Sequence, residues 1–388
     1  MMKTIITERI PIKMWLEEIE DGALVQAENL ANFPFSFSHI AIMPDAHEGY
    51  GMPIGGVLAT EKVIIPNAVG VDIGCGMCAV RTSAENISRK ELLKIVDELR
   101  KAVPIGSNHH KEPQKKDLMP EMTRKMKIIE AEYESALFQI GTLGGGNHFI
   151  EVQKGNDGFI WLMIHSGSRN IGYKVAGYYN QLAIELRDEF KSEIPLSWQL
   201  DYLPLESVEG KNYVDEMNFC VRFAFANRLL MMERFKNIFL DACSEKNVSF
   251  EPVINIAHNY AAFENHFGKS VAVHRKGATS AKKGEKGIIP GSQGAKSYIV
   301  EGLGNPESFE SCSHGAGRKM GRREAIRKLN LDEEIRKLNK IGVIHSIRNQ
   351  NDLEEAAGAY KDICEVMSNQ KDLVKIIVEL SPLAVMKG

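Results

Sequence analysis

The segment Ile160-Trp161-Leu162-Met163-Ile164-His165-Ser166-Gly167-Ser168-Arg169-Asn170-Ile171-Gly172 decides the fold class. Its apolar first half reads as a fully buried strand. The strand runs into a polar glycine-serine cluster, and a helix is expected from there to about Lys191. Polar residues at a strand's carboxyl end, beside a helix start, occupy a favoured site position in α/β proteins. Further strands read at Val57–Thr60, Val253–Ala257, Val271–Val273 and Ser297–Val300. Residues 1–40 read as a small α/β start. Helices are expected over 83–103, 116–140 and 212–247, as a basic helix from Arg322 to Lys337, and in a last helical region that includes Tyr360. The expected fold is α/β (an α+β complex) with mixed sheets, peripheral helices and a site at the strand ends.

Working outward, a chain of 388 residues can form two compact domains or one large one. It is read as one unit, 1–388. The formal net charge of -3 weighs against a whole-surface nucleic-acid binder. Met1-Met2-Lys3-Thr4-Ile5-Ile6 leads straight into charged sequence, unlike a secretion signal. The apolar runs are too short to span a bilayer, so a soluble cytoplasmic protein without membrane contact is expected. Six unevenly spaced cysteines argue against a disulfide framework. The lone Cys75-x-x-Cys78 lacks a second pair, and Cys78 reads as a buried strand residue.

The chemistry-bearing residues cluster in glycine-rich turns. Met43-Pro44-Asp45-Ala46-His47-Glu48-Gly49-Tyr50-Gly51 reads as a loop carrying Asp, His and Glu within four positions. Asp72 and Cys75 share a glycine-loosened turn, where a carboxylate and a thiolate can converge on a cation. Gly141 to Gly146 form a glycine loop that enters a strand at Asn147-His148-Phe149-Ile150-Glu151. His165 and His258 end strands. Together Asp72, Cys75, His148, His165 and His258 offer a carboxylate, a thiolate and three imidazoles, a set suited to borderline divalent ions, with Cys75 able to bridge two. Asn227 and Arg228, in the apolar middle of the long helix, read as a structural hydrogen-bonding pair. Pro290-Gly291-Ser292-Gln293-Gly294 reads as a tight turn with backbone donors for an anion. In Ser311-Cys312-Ser313-His314-Gly315-Ala316-Gly317-Arg318, small residues leave one histidine uncrowded. Its nitrogen is a good nucleophile toward phosphorus, and Arg318 can hold phosphate oxygens.

These motifs, in this order over nearly the whole chain, resemble the RtcB RNA-ligase family. The resemblance rests on Met43-Pro44-Asp45-Ala46-His47, Asp72-Ile73-Gly74-Cys75-Gly76-Met77, Gly146-Asn147-His148-Phe149, His165-Ser166-Gly167-Ser168-Arg169, His258-Asn259, His274-Arg275-Lys276-Gly277-Ala278, His314-Gly315-Ala316-Gly317-Arg318 and terminal Lys387-Gly388. It implies an enzyme that joins RNA 3′-phosphate or 2′,3′-cyclic phosphate ends to 5′-hydroxyl ends with GTP. Two manganese ions are implied on Asp72, Cys75, His148, His165 and His258. His314 is the implied nucleophile, guanylylated before GMP passes to the RNA 3′-phosphate, with Asp45 at the active site. Guanylate contacts are implied at Asn147, Glu151, Asn259, Ser292, Ser297, Tyr360 and Lys387, and expected along Pro290, Gly291, Gln293 and Gly315-Ala316-Gly317. Arg169, Arg275 and Lys276 are expected at RNA or phosphate. A monomer is expected, and an archease-like activator is a candidate partner. The turn at Pro290 and Gly321 depart from the family's usual residues, and the chain is shorter than many relatives. These departures point to a divergent branch, for which RNA repair, tRNA splicing or both are expected. Two rival readings are a metal-dependent phosphohydrolase or cyclic phosphodiesterase that never ligates, and a non-catalytic RNA binder.

Overall fold

The computed structural model describes residues 2–388 except Thr123 and Lys246. It is a mixed α/β fold built on two large sheets. One has six strands in the order Lys3–Ile5, Ile12–Met14, Ser36–Tyr50, Met52–Thr60, Lys269–Lys276, Asn259–His266. The other has seven, in the order Ile254–Ala257, Gly76–Arg81, Ile160–Ser166, Phe149–Gly155, Val374–Lys387, Ser297–Gly302, Lys286–Ile289. All pairings in the second sheet are antiparallel. The carboxyl-end rule for open parallel sheets therefore does not explain where the site lies, although the site does sit at strand ends.

Alternation along the central strands of the seven-stranded sheet sends side chains to two different cores. Cys78, Val80, Ile150, Val152, Leu162 and Ile164 pack against Met231, Phe235 and Phe239 of the helix Val208–Ala242, and against Leu92, Ile95, Val96 and Leu99 of Arg89–Ala102. Met77, Ala79, Phe149, Trp161 and Met163 pack on the opposite face with Ile288, Ile299 and Val385. A strand clothed on both faces is apolar throughout, which is why Ile160–Ile164 was readable. Residues of both sheets, among them Met43, Val57 and Val273 from one and Tyr298 and Val300 from the other, share a third core.

Several boundaries differ from expectation for local reasons. Met43 to Tyr50 is not a loop but the end of the strand Ser36–Tyr50. Its register slips between Ile42 and His47 and again before Tyr50, so Pro44 sits in an irregular stretch that asks for no ladder N–H. The expected helix 116–140 is only Lys127–Gln139 plus a short 3-10 turn at Lys116–Leu118, because Pro120 interrupts it. Thr123 in that span lies outside the described residues, as does Lys246 in the expected helix 212–247, observed as Val208–Ala242. Arg89–Ala102 starts later than residue 83 because Ser88 caps it and Glu91 returns the bond to the Ser88 N–H. The basic helix splits into Arg322–Lys328 and Leu331–Lys340, the second capped by Asn330. Tyr360 follows a 3-10 turn and bridges to Arg318 rather than lying in a helix. Among the described residues, no helix is long and apolar enough to cross a membrane.

Candidate active site

Four adjacent strands of the seven-stranded sheet each deliver one side chain at the same end. His258 follows Ile254–Ala257, Cys75 precedes Gly76–Arg81, His165 closes Ile160–Ser166, and His148 precedes Phe149–Gly155. Gly76 is paired with both Ala257 and Ser166, and His165 with Phe149, so the four lie in a row across the strand ends. Neighbouring strands are about 4.8 Å apart, which sets the natural step of such a row. Side-chain reach closes it further. Cys75 Sγ lies 3.4 Å from His148 Nε2 and 3.3 Å from His165 Nε2, and His165 Nε2 lies 3.4 Å from His258 Nε2. Asp72 Oδ2 approaches His148 Nε2 to 3.1 Å.

The donor atoms fall into two groups, Cys75-His165-His258 and Asp72-Cys75-His148, each within 4.8 Å, with Cys75 common to both. Burial drives the His165 and His258 imidazoles well below their usual range, so they are neutral and carry lone pairs. Burial, then the Asp72 charge, drives the Cys75 thiol well above its usual range. A cation would reverse that, since a coordinated thiol loses its proton. The donor chemistry therefore fits a transition-metal dication, and two sites can share one sulfur. Cys78 takes no part: it is buried on the opposite sheet face, its thiol pushed up to about 12.

The row is braced from behind by the Asn227–Arg228 pair. Asn227 Oδ1 accepts from the Gly141 and Thr142 N–H groups at 2.7 and 3.1 Å. The fully buried Arg228 donates to the carbonyls of Gly74 and Ser166, each at 2.8 Å, and to Asn255 Oδ1 at 2.7 Å. One long helix thus fixes the residues next to Cys75 and His165, and the structural reading of this pair holds.

His314 stands on the opposite wall, after the short strand Ser311–Ser313 that pairs with Ala278–Ser280. Its ring meets His258 edge to face with centroids 4.9 Å apart. His314 Nδ1 lies 2.6 Å from Asp45 Oδ2, and the same oxygen accepts from the His314 and Gly315 N–H groups. Asp45 is fully buried. Burial pushes its carboxyl up, but the adjacent His314 imidazole, His47 and Lys361 hold it below the usual range. Gly317 must be glycine: its φ is +72°, and a Cβ would stand 2.1 Å from the Asp45 carbonyl oxygen.

A cleft of about 970 Å³ joins these walls. It is lined by Asp72, Cys75, His165, His258, Asn147, Glu151, Asn259, the Pro290–Gln293 turn, His314 to Arg318, Tyr360 and Lys387. Lys387, at the end of the strand beside Phe149–Gly155, pairs with Phe149 in register and holds its ammonium 5.6 Å above that ring. Burial raises the Glu151 carboxyl to about 8. Asn259 is committed to the scaffold, donating to the Asp72 carbonyl at 3.1 Å and accepting from the Gly277 N–H at 2.8 Å.

Three expected contacts stand elsewhere, and a fourth lines the cleft with its amine engaged. Arg275 is 0% exposed and spends its guanidinium on both Glu264 oxygens, Ser311 Oγ and the Phe309 carbonyl. It ties the His314 strand to the six-stranded sheet and is not available to RNA. Arg169 props the glycine loop through Thr142 Oγ1 and the Gly106 carbonyl, off the cleft wall. Ser297 sits one layer back, accepting from the Gly291 N–H at 3.2 Å and from Gln153 at 3.1 Å. Lys276 lines the cleft, but its amine donates to the Tyr50 and Asn67 carbonyls. Sequence reading missed Glu355, which gathers Arg318, Arg322, Tyr360 and Lys387 about one buried carboxylate. In the sequence it is one acid in a charged run, with no signal to set it apart.

The chain matches the model of the family described as tRNA-splicing ligase RtcB over residues 26–129 and 118–388. It is 39% identical to the RNA-splicing ligase RtcB of Escherichia coli K12, the alignment covering 98% of each chain. It is 32% identical to the tRNA-splicing ligase RtcB of Nanoarchaeum equitans, over 95% of this chain and 92% of that one. With RNA-splicing ligase RtcB homolog 1 of Entamoeba dispar it shares 33% identity over 94% of this chain and 81% of the relative. Matches of this extent, with the strand-end donors and the His314 motif in place, establish that the chain belongs to the RtcB family.

Proposed function

We propose that this chain is a GTP- and manganese-dependent RNA ligase. It joins RNA 3′-phosphate or 2′,3′-cyclic phosphate ends to 5′-hydroxyl ends through a histidine–GMP intermediate, in RNA repair or tRNA splicing. Residues 1–388 act as one catalytic unit, a cytoplasmic monomer, with RNA and GTP as substrates. The observation that carries this reading is the contact of His314 Nδ1 with Asp45 Oδ2 at 2.6 Å, set beside the metal-donor row. An ionised Asp45 beside Nδ1 favours a proton on that nitrogen, which leaves the lone pair on Nε2.

His314 Nε2 attacks the α-phosphorus of GTP, the bond to the β-phosphate oxygen breaks, and pyrophosphate leaves. Asp45 stabilises the positive ring that forms. An oxygen of the RNA 3′-phosphate then attacks the histidine-linked phosphorus and the P–N bond breaks, returning the imidazole. The RNA 5′-hydroxyl attacks the activated 3′-phosphorus and GMP departs. A cyclic end is first opened by water to the 3′-phosphate. Ions held by Asp72, Cys75, His148, His165 and His258 would supply Lewis-acid withdrawal of phosphoryl charge. Arg318, Arg322 and Lys387, three cations around one carboxylate, leave a positive wall for phosphate oxygens. Glu151 and Lys387 face the guanylate.

The test uses manganese-loaded protein with GTP, one RNA ending in a cyclic phosphate and another beginning with a 5′-hydroxyl. Joined RNA is expected from the native chain and none from His314→Ala. Opening of the cyclic end without joining, equal in both proteins, would make the chain a phosphohydrolase and overturn the reading.

A further inference from the structure

Tyr50 and Val71 break the usual rule for large apolar side chains: they are 72% and 54% exposed, yet both line the cleft. They come from different segments, the end of Ser36–Tyr50 and the turn after the helix Pro66–Val69. One side chain ties them together. Lys276 Nζ donates to the Tyr50 carbonyl at 2.6 Å and to the Asn67 carbonyl at 3.0 Å. The Tyr50 backbone is clamped further. Gln26 both donates to and accepts from Gly49, at 2.7 and 3.1 Å. Gly51, at φ +70°, seats so close to its neighbours that a Cβ would stand 2.5 Å from the Gln199 carbonyl oxygen. An exposed ring on a fixed turn loses little freedom when something stacks on it.

The surroundings say what that is. Glu20, Asp21 and Glu48 line this part of the cleft, with Glu20 accepting from the Glu48 N–H at 3.1 Å. The nearby Lys276 amine is already engaged by two carbonyls. This rim repels phosphate and offers an apolar, aromatic surface instead. Val71 directly precedes Asp72, one of the donors at which phosphoryl oxygens are placed under the reading above. Lys276 also runs beside Gly70, where a Cβ would lie 3.5 Å from the Lys276 Cε, so Tyr50 and the Val71–Asp72 turn flank one side chain.

We propose that Tyr50, together with Val71, forms the stacking platform for the base of an RNA terminal nucleotide in the ligation site. This rests on the ligase reading for where the phosphate lies. Bases unstacked from a helix commonly rest on aromatic faces, and the contact tolerates any base. A single-stranded RNA end is therefore held by its base on one wall and by its phosphate on the other.

The experiment places 2-aminopurine at the terminal nucleotide of a 3′-phosphate RNA and, separately, of a 5′-hydroxyl RNA. Fluorescence is followed on binding to manganese-loaded wild-type, Tyr50→Ala and Tyr50→Phe proteins. Quenching of one probe is expected with wild type and Tyr50→Phe and lost in Tyr50→Ala, with a rise of about tenfold or more in KM for that RNA and little change in kcat. Unchanged quenching and KM in Tyr50→Ala would overturn the platform. So would equal losses in Tyr50→Phe and Tyr50→Ala, since the hydroxyl and not the ring would then matter. Guanylylation by GTP without RNA is scored in parallel. Its absence from wild type would overturn the ligase reading, while the fluorescence arm still decides on Tyr50.

Discussion

Two walls of one cleft solve opposite electrostatic problems. The strand-end row brings lone pairs together: sulfur to nitrogen at 3.3 and 3.4 Å, nitrogen to nitrogen at 3.4 Å. Such a donor set suits a cation. Around Glu355 three cations already share one carboxylate, with Arg318 Nη1 at 3.2 Å, Arg322 Nε at 3.1 Å, Lys387 Nζ at 3.8 Å and the Tyr360 hydroxyl donating to it. The first wall gathers donors suited to a metal. The second is organised by its own side chains and presents their surplus positive charge.

The sharpest way to break this contrast is Cys75→Ala. Cys75 belongs to both donor groups, so its loss should weaken metal binding by more than the roughly 10- to 100-fold that removal of a supporting partner costs, and abolish joining. Cobalt titration is the check: the native protein should develop a thiolate-to-cobalt absorption band, and the variant none. If the variant binds cobalt as tightly as the native chain, the row is not a metal site.

The second comparison removes the charge at the other wall. Glu355→Gln keeps the volume but strands Arg318 and Lys387, whose side chains are 16% and 14% exposed. Breaking such a pair should cost about 3 kcal/mol of stability, read by denaturant unfolding, and metal binding should be untouched. A variant that unfolds like the native chain would mean the hub is not structural.

The smallest effect concerns pH. Burial holds the Glu151 carboxyl at about 8, against an ordinary 4.5. The folded chain then keeps a proton that the unfolded chain releases, so this group's contribution to stability falls as pH climbs from about 4.5 to about 8. Glu151→Gln should remove that slope. Its melting temperature relative to the native protein should therefore rise between about pH 6 and about pH 8. A constant difference would show that Glu151 is ionised in the fold.

The same contrast explains what could be read in the sequence. Cys75, His148 and His165 sit where apolar strands meet glycine-rich turns, and His258 ends an apolar strand; those junctions are visible in one dimension. The two-faced burial of Ile160–Ile164 was legible for the same reason. Glu355 was not, because its partners lie 5 to 37 positions away in chain segments that only tertiary packing assembles. Arg275 lies away from the cleft, whereas Lys276 lines it. Basic residues in a motif look like phosphate contacts, but a strand alternates: Arg275 turns inward to Glu264, while Lys276 ties two backbone turns. The loop expected at Met43–Tyr50 proved a strand because proline and glycine are tolerated where the ladder slips, which no local pattern announces.

The most direct test of the central claim, that His314 poised by Asp45 is a phosphorus nucleophile, is covalent labelling. Protein loaded with manganese is incubated with α-labelled GTP and resolved under denaturing conditions beside His314→Ala. Label that stays on the native chain, is released by acid and is absent from the variant is the predicted result. Native protein, folded and metal-loaded, that takes no label would contradict the account.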